Sequence, residues 1–180
     1  LKDLPKLSKY ISKYSPSITG TYIYLSGEKN DRLGKTAYKG WDPMFEDQTY
    51  GHLMNAILAN TNRQQGVLSG KAKLTDDIGL NLDYTIAWFA KRYREGSTAI
   101  LSNISGTSAT TMGRQFKMGK TSYIGSEVDL TLTYDYTEDV QFSLLGGIFA
   151  PGKSINEYDG VNQPNRVAAT EVIGSMKVTF

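Results

Sequence analysis

The chain has 180 residues, with 20 Lys and Arg against 18 Asp and Glu, a net charge of only +2 at pH 7. That balance leaves no basic footprint for nucleic acid, and the absence of cysteine excludes a disulfide frame or a thiol metal site. No run of ~18 apolar residues is present, so no membrane helix is expected. A mean hydropathy of −0.37 still suits a membrane barrel, whose inner face is polar.

The chain starts at Leu1 with neither Met nor a signal peptide, which reads as a processed protein or a fragment. Residues 1–17 read as a connector or short helix. Leu4, Leu7, Ile11 and Tyr14 have helical spacing, with Lys2, Lys6, Lys9 and Lys13 elsewhere on the wheel. Tyr10, Ser12 and Tyr14 equally fit one face of a strand before a turn at Ser15-Pro16-Ser17. Residues 18–28, rich in β-branched and aromatic types, form a strand. Its facing stays open because Tyr22, Ile23, Tyr24 and Leu25 are consecutive. Residues 29–62 are a long polar connection, of the kind that is usually functional or capping.

Residues 63–74 alternate. Gly66, Leu68, Gly70, Ala72 and Leu74 share one face, and Arg63, Gln65, Val67, Ser69, Lys71 and Lys73 the other. After the turn Thr75-Asp76-Asp77, residues 78–91 return with Ile78, Leu80, Leu82, Tyr84, Ile86 and Trp88 on the apolar face and Asn81, Asp83, Thr85 and Lys91 opposite. Residues 94–120 are a Ser/Thr/Gly-rich loop carrying Arg94, Arg114, Lys117 and Lys120. It would bind anionic sugar or lipopolysaccharide; a capping loop is the plainer reading.

The longest alternation is 122–136. Ile124, Ser126, Val128, Leu130, Leu132, Tyr134 and Tyr136 alternate with Gly125, Glu127, Asp129, Thr131, Thr133 and Asp135. Thr137-Glu138-Asp139 turns the chain, and 140–149 returns with Val140, Phe142, Leu144, Gly146 and Ile148 matching the apolar face. The two turns repeat one another, as LTDDI and YTEDV. After a loop at 150–167, residues 169–180 alternate to the end. Val172, Gly174, Met176, Val178 and Phe180 oppose Glu171, Ser175, Lys177 and Thr179.

Short turns and long loops thus alternate strictly, which puts all short turns at one end of the sheet, as in outer-membrane barrels. Aromatics fall at two levels of the apolar face. Tyr134, Tyr136, Phe142 and Phe180 lie by the short turns, and Trp88 lies at the far end with Arg92 just beyond, placed to meet anionic head groups. The ten steps from Ile78 to Trp88 span ~33 Å, or roughly 25 Å of membrane normal at ~40° tilt. The expected fold is all-β: an antiparallel transmembrane β-barrel, a meander of long hairpins in one domain. The apolar face should meet lipid. The lumen should be lined by Arg63, Lys71, Lys73, Asp83, Lys91, Glu127, Asp129, Asp135, Glu171 and Lys177. A soluble β-sandwich would show the same alternation, but strands this long with turns this unequal argue against it.

Several motifs carry a family resemblance. SGEKN at 26–30, WDPMF at 41–45, SEVDLTLTYDYTEDVQFSLLGGIFAPG at 126–152 and the terminal EVIGSMKVTF resemble the C-terminal part of the alginate-export family of outer-membrane porins. In that family a strand runs into an SGD-like tip, a loop carries an FDP-like triplet, and a late hairpin ends in an F-x-PG turn. The resemblance implies a many-stranded, single-chain barrel in the outer membrane of a Gram-negative bacterium. Such a barrel passes an anionic polysaccharide through a basic lumen. The lumen set here is instead nearly neutral, which counts against alginate itself as the solute. The terminal Phe180 resembles the signal read by the barrel-assembly machinery.

Six strands are too few to close, since single-chain barrels start at about eight. Upstream strands of the same protein, or other subunits, are expected to complete the wall. The function expected is a pore for diffusion or export of a hydrophilic solute; the alternative is a structural or surface-binding barrel with a plugged lumen. No enzyme activity, cofactor or metal site is expected. His52 with Asp42 or Asp47 would offer a base for hydrolysis, but no nucleophile motif accompanies it. Glu127, Asp129 and Asp135 would suit a hard cation; pairing to lysines or hydration is the plainer reading.

Overall fold

The computed structural model describes residues 11, 13–27, 40–41, 49–58, 60–96, 98–100, 115–157 and 167–180. Its elements, in chain order, are β1 (Ser17–Leu25), α1 (His52–Ile57), β2 (Arg63–Lys73), β3 (Ile78–Phe89), β4 (Thr98–Ile100), β5 (Gln115–Met118), β6 (Tyr123–Asp135), β7 (Val140–Pro151), β8 (Ile155–Glu157) and β9 (Ala169–Val178). Most of 1–17 and much of 29–62 lie outside the described residues. Ile11, Lys13 and Tyr14 are helical, and Ser15 N–H closes that turn on Ile11 O at 2.9 Å.

The six long strands form one antiparallel meander in the order β1-β2-β3-β6-β7-β9. They coincide with the six strands read from the sequence, five by period two and the first by composition, to within a few residues at each end. Antiparallel partners share a face, so the register carries the alternation across the sheet. Gly70 pairs with Leu82, Leu82 with Leu130, Leu130 with Gly146 and Gly146 with Val172. The register also resolves the facing of β1. Tyr22 pairs with Gly66 and joins the apolar face; Ile23 pairs with Gln65 and joins the other.

The two short turns share one device. Thr75 Oγ1 accepts a hydrogen bond from Ile78 N–H at 3.0 Å, and Thr137 Oγ1 accepts one from Val140 N–H at 3.1 Å. The repeated Thr therefore supplies a local acceptor inside each tight turn.

Two features depart from the sequence reading. The long loops are not wholly irregular, since β4, β5 and β8 form a second, three-stranded sheet. Ile124 does not join the even-numbered outward row. Ala87 pairs with Gly125 but Trp88 with Tyr123, so Ile124 is the extra residue of a β-bulge. It turns into the core, 1% exposed. In agreement with the reading, β9 pairs with β7, and β1 and β9 are the two ends of the strand order and do not pair with each other. The described residues form an open sheet, as the strand number led one to expect, and a closed barrel wall is not part of this structure.

One face of the sheet is bare, and its side chains are Ile18, Tyr22 and Tyr24 on β1, Leu68 on β2, Leu82 and Tyr84 on β3, and their counterparts on β6, β7 and β9. No charged residue lies on it along any of the six strands. The other face holds every strand charge and also holds α1. A core of Met54, Leu58, Ala87, Phe89, Met118, Ile124, Phe149 and Ile155 gathers there, at the long-loop end.

Candidate functional site

Period-two alternation and register together bring distant acids into one row. Asp83 on β3 pairs with Asp129 on β6, Asp129 with Gly147 on β7, and Gly147 with Glu171 on β9. Glu127 lies one inward step further towards the long loops, opposite Thr85. Carboxylates cannot be buried without donors or counter-charge, and most of the donors come from the segment 49–62.

That segment folds back onto the charged face. Leu53 N–H donates to Glu127 Oε1 and Met54 N–H to Glu127 Oε2, both at 2.7 Å; His52 N–H donates to Asp129 Oδ2 at 3.4 Å. These are first-turn amides of α1, which have no partner inside the helix. Gly51, at φ 89, precedes them and offers no capping side chain, so Glu127 supplies the cap from another strand. The His52 imidazole Nδ1 lies 3.3 Å from Glu171 Oε1, close but outside hydrogen-bond geometry.

Strand β2 grips the two ends of the segment. Gln65 Nε2 donates to Tyr50 O at 2.9 Å, and Gln65 Oε1 accepts from Tyr50 N–H at 3.4 Å. Arg63 Nη2 donates to Asn60 Oδ1 at 2.6 Å and to Leu58 O at 3.3 Å. Thr49 Oγ1 donates to Asn60 Oδ1 at 2.8 Å. Asn62 then ties the segment to the end of β3: its Oδ1 accepts from Lys91 N–H at 2.7 Å and its Nδ2 donates to Lys91 O at 2.9 Å.

The expected lumen residues therefore divide into two groups. Arg63, Glu127, Asp129 and Glu171 lie on the expected face, but segment 49–62 covers them, with Arg63 and Glu127 each 1% exposed. Lys71, Lys73, Asp135 and Lys177 are exposed at the short-turn end, where Gln141 Nε2 donates to Asp135 Oδ1 at 2.7 Å. Asp83 lies between the groups and accepts from Asn81 Nδ2. Lys91 lies past the end of β3, in the bend clasped by Asn62.

The expected interface aromatics are on or beside the bare face. Tyr134, Tyr136 and Phe142 make edge contacts with centroids 6.2–6.3 Å apart at the short-turn end. Trp88 meets Tyr123 at 6.2 Å at the other end. Arg92 Nη1 donates to Lys120 O at 2.7 Å. Phe180 is fully exposed beside the last short turn, where Thr179 N–H donates to Asp139 O at 2.9 Å.

No protein-family model matches this sequence, and no curated protein matches it significantly. Gln65, Asn60, Asn62 and the amides of α1 were missed as site members from sequence. The one local signal for α1 was Gly51-His52 breaking a polar stretch before Leu53-Met54.

Proposed function

We propose that this chain forms part of the wall of an outer-membrane β-barrel pore for a hydrophilic solute, with segment 49–62 narrowing the lumen from the long-loop side. The bare face meets lipid and the charged face meets water. One observation carries the reading. Six strands, each near the length that crosses a bilayer, expose a continuous uncharged face, while all strand charges lie opposite. An exposed apolar surface of this extent marks contact with a membrane or another protein. The aromatic pairs at both ends of the face suit the two membrane interfaces.

Among the described residues the outer edges of β1 and β9 pair with no further strand, which fits the same reading, because unpaired backbone groups in hydrocarbon cost several kcal/mol each. Further strands of the same protein, or other subunits, complete the wall. Bilayer lipid and lipopolysaccharide are the surrounding partners, and the exposed Phe180 is available to the barrel-assembly machinery. The solute is small or polymeric and hydrophilic. The resemblance to alginate exporters points to an anionic polysaccharide, whereas the acidic row under α1 disfavours a polyanion at that level.

A second reading, a plugged structural or surface-binding barrel, draws support from the number of wall residues holding segment 49–62. Conductance in a planar bilayer separates them. Discrete steps on insertion support a pore. Silent insertion supports the plugged barrel, and failure to insert removes both.

A further inference from the structure

We propose that Asp129, Glu171 and Glu127 bind one Ca²⁺ ion between β6 and β9, beneath α1. Their carboxylate oxygens lie within 4.8 Å of one another. An ion at ~2.4 Å from each ligand spans oxygens up to ~4.8 Å apart. Two independent observations point to a ligand there. Asp129 is 6% exposed, and its Oδ1 is buried without a hydrogen-bond partner among the described residues; Glu171 Oε1 is buried likewise. A buried carboxylate oxygen with no donor is costly unless a proton or a cation meets it; the His52 imidazole, 3.3 Å from Glu171 Oε1, is half exposed and leaves Asp129 Oδ1 unmet.

The second observation is the space that lets them converge. Gly147 sits between Asp129 and Glu171 in the register. A Cβ there would lie 2.7 Å from Asp129 Oδ1 and 3.0 Å from Glu171 Oε1. Two oxygens from different strands thus lean over one point that only glycine leaves open. Glu127 already accepts two amide protons from α1, and Arg63 interacts with it electrostatically. It contributes a remaining lone pair. Asp83, paired with Asp129, adds negative charge to the site. An all-oxygen, anionic and irregular site suits Ca²⁺ better than Mg²⁺, which demands near-ideal octahedral geometry. The ion would lock α1 to the wall, because Glu127 and Asp129 hold both ion and helix.

Calorimetric titration of the full protein in detergent with CaCl₂ tests this. Binding is expected with Kd on the order of 10⁻⁴ to 10⁻³ M, the range of extracellular sites. Asp129→Asn, which keeps the shape, should weaken it by more than about tenfold, because ligand charge sets affinity. Gly147→Ala should do the same by filling the slot. Gly146→Ala, on the bare face with nothing near its Cβ position, should leave it unchanged. Added Ca²⁺ should also raise the unfolding temperature of the wild type and the Gly146→Ala variant, but not that of Asp129→Asn. No binding up to about 10 mM overturns the proposal, since that lies beyond the weakest such sites. So does binding that Asp129→Asn leaves intact, which would place the ion on the exposed turn acids instead.

Discussion

The carboxylate of Glu127 on β6 caps the helix at Met54, 73 residues earlier in the chain, through a 2.7 Å bond from Met54 N–H to Oε2. The partner bond from Leu53 makes the cap bidentate. A six-residue helix is too short to be stable by itself, so α1 depends on this cap from β6 together with the core packing of Met54.

Replacing Glu127 should therefore release α1. Glu127→Ala strands the buried Met54 amide and the part-buried Leu53 amide and should cost about 2–3 kcal/mol in denaturant unfolding. Glu127→Gln keeps one carbonyl acceptor and should cost about half as much. Amide exchange at Leu53 and Met54 should accelerate in both variants. If α1 narrows a pore, single-channel conductance should rise in Glu127→Ala; unchanged conductance would separate the cap from any constriction.

Asn62 should be as sensitive. It sits at φ 48 and bonds Lys91 through both side-chain atoms. Asn62→Ala loses two hydrogen bonds and adds left-handed strain, about 2–4 kcal/mol together. Asn62→Gly loses the bonds without the strain and should be milder. Equal losses would mean that the backbone conformation carries no cost there.

The two faces should respond differently to charge. Leu82 lies on the bare face beside Gly70 and Leu130. If that face meets lipid, Leu82→Arg should destabilise the protein in a bilayer by ~2–4 kcal/mol, as charges near the midplane do. Asp83→Asn, one residue on, should be much milder. Similar effects at both positions would argue against a lipid-facing sheet.

Lys71 and Lys73 are exposed on the charged face, away from α1. Changing both to Glu should shift ion preference towards cations if they line the conduction path. The reversal potential in a salt gradient measures this. An unchanged value would place them off the path.

Much of the sheet was legible because five of its six strands are long enough for period two to be unmistakable, and because Thr75 and Thr137 mark turns by the same local bond; only β1, with Tyr22 to Leu25 in an unbroken run, needed the register to settle its facing. The fold of segment 49–62 was not legible. The sequence HLMNAI is too short to show helical period, its cap is Glu127 on a distant strand, and its anchors Gln65 and Arg63 look like ordinary inward positions. The bulge at Ile124 was half legible, since Gly125 inside a strand is a known mark of one. The small sheet was hidden because strands of three or four residues carry no measurable alternation. Glu127, Asp129 and Glu171 share the charged face that alternation gave them, and alternation across the turn at Thr137–Asp139 also put Gly147 opposite the β6 carboxylates, but it gave no sign that Glu171 lies on the other side of Gly147.

The central claim is that the bare face of β3 meets lipid and the other meets water. The chain has no cysteine, so single substitutions can each carry a nitroxide spin label without background. Leu80→Cys, Asn81→Cys, Leu82→Cys, Asp83→Cys and Tyr84→Cys, labelled and reconstituted in liposomes, give that test directly. The account predicts alternation: positions 80, 82 and 84 relaxed by molecular oxygen, positions 81 and 83 by a water-soluble nickel complex. Labels at 80, 82 and 84 that respond to the nickel complex as strongly as those at 81 and 83 would contradict it.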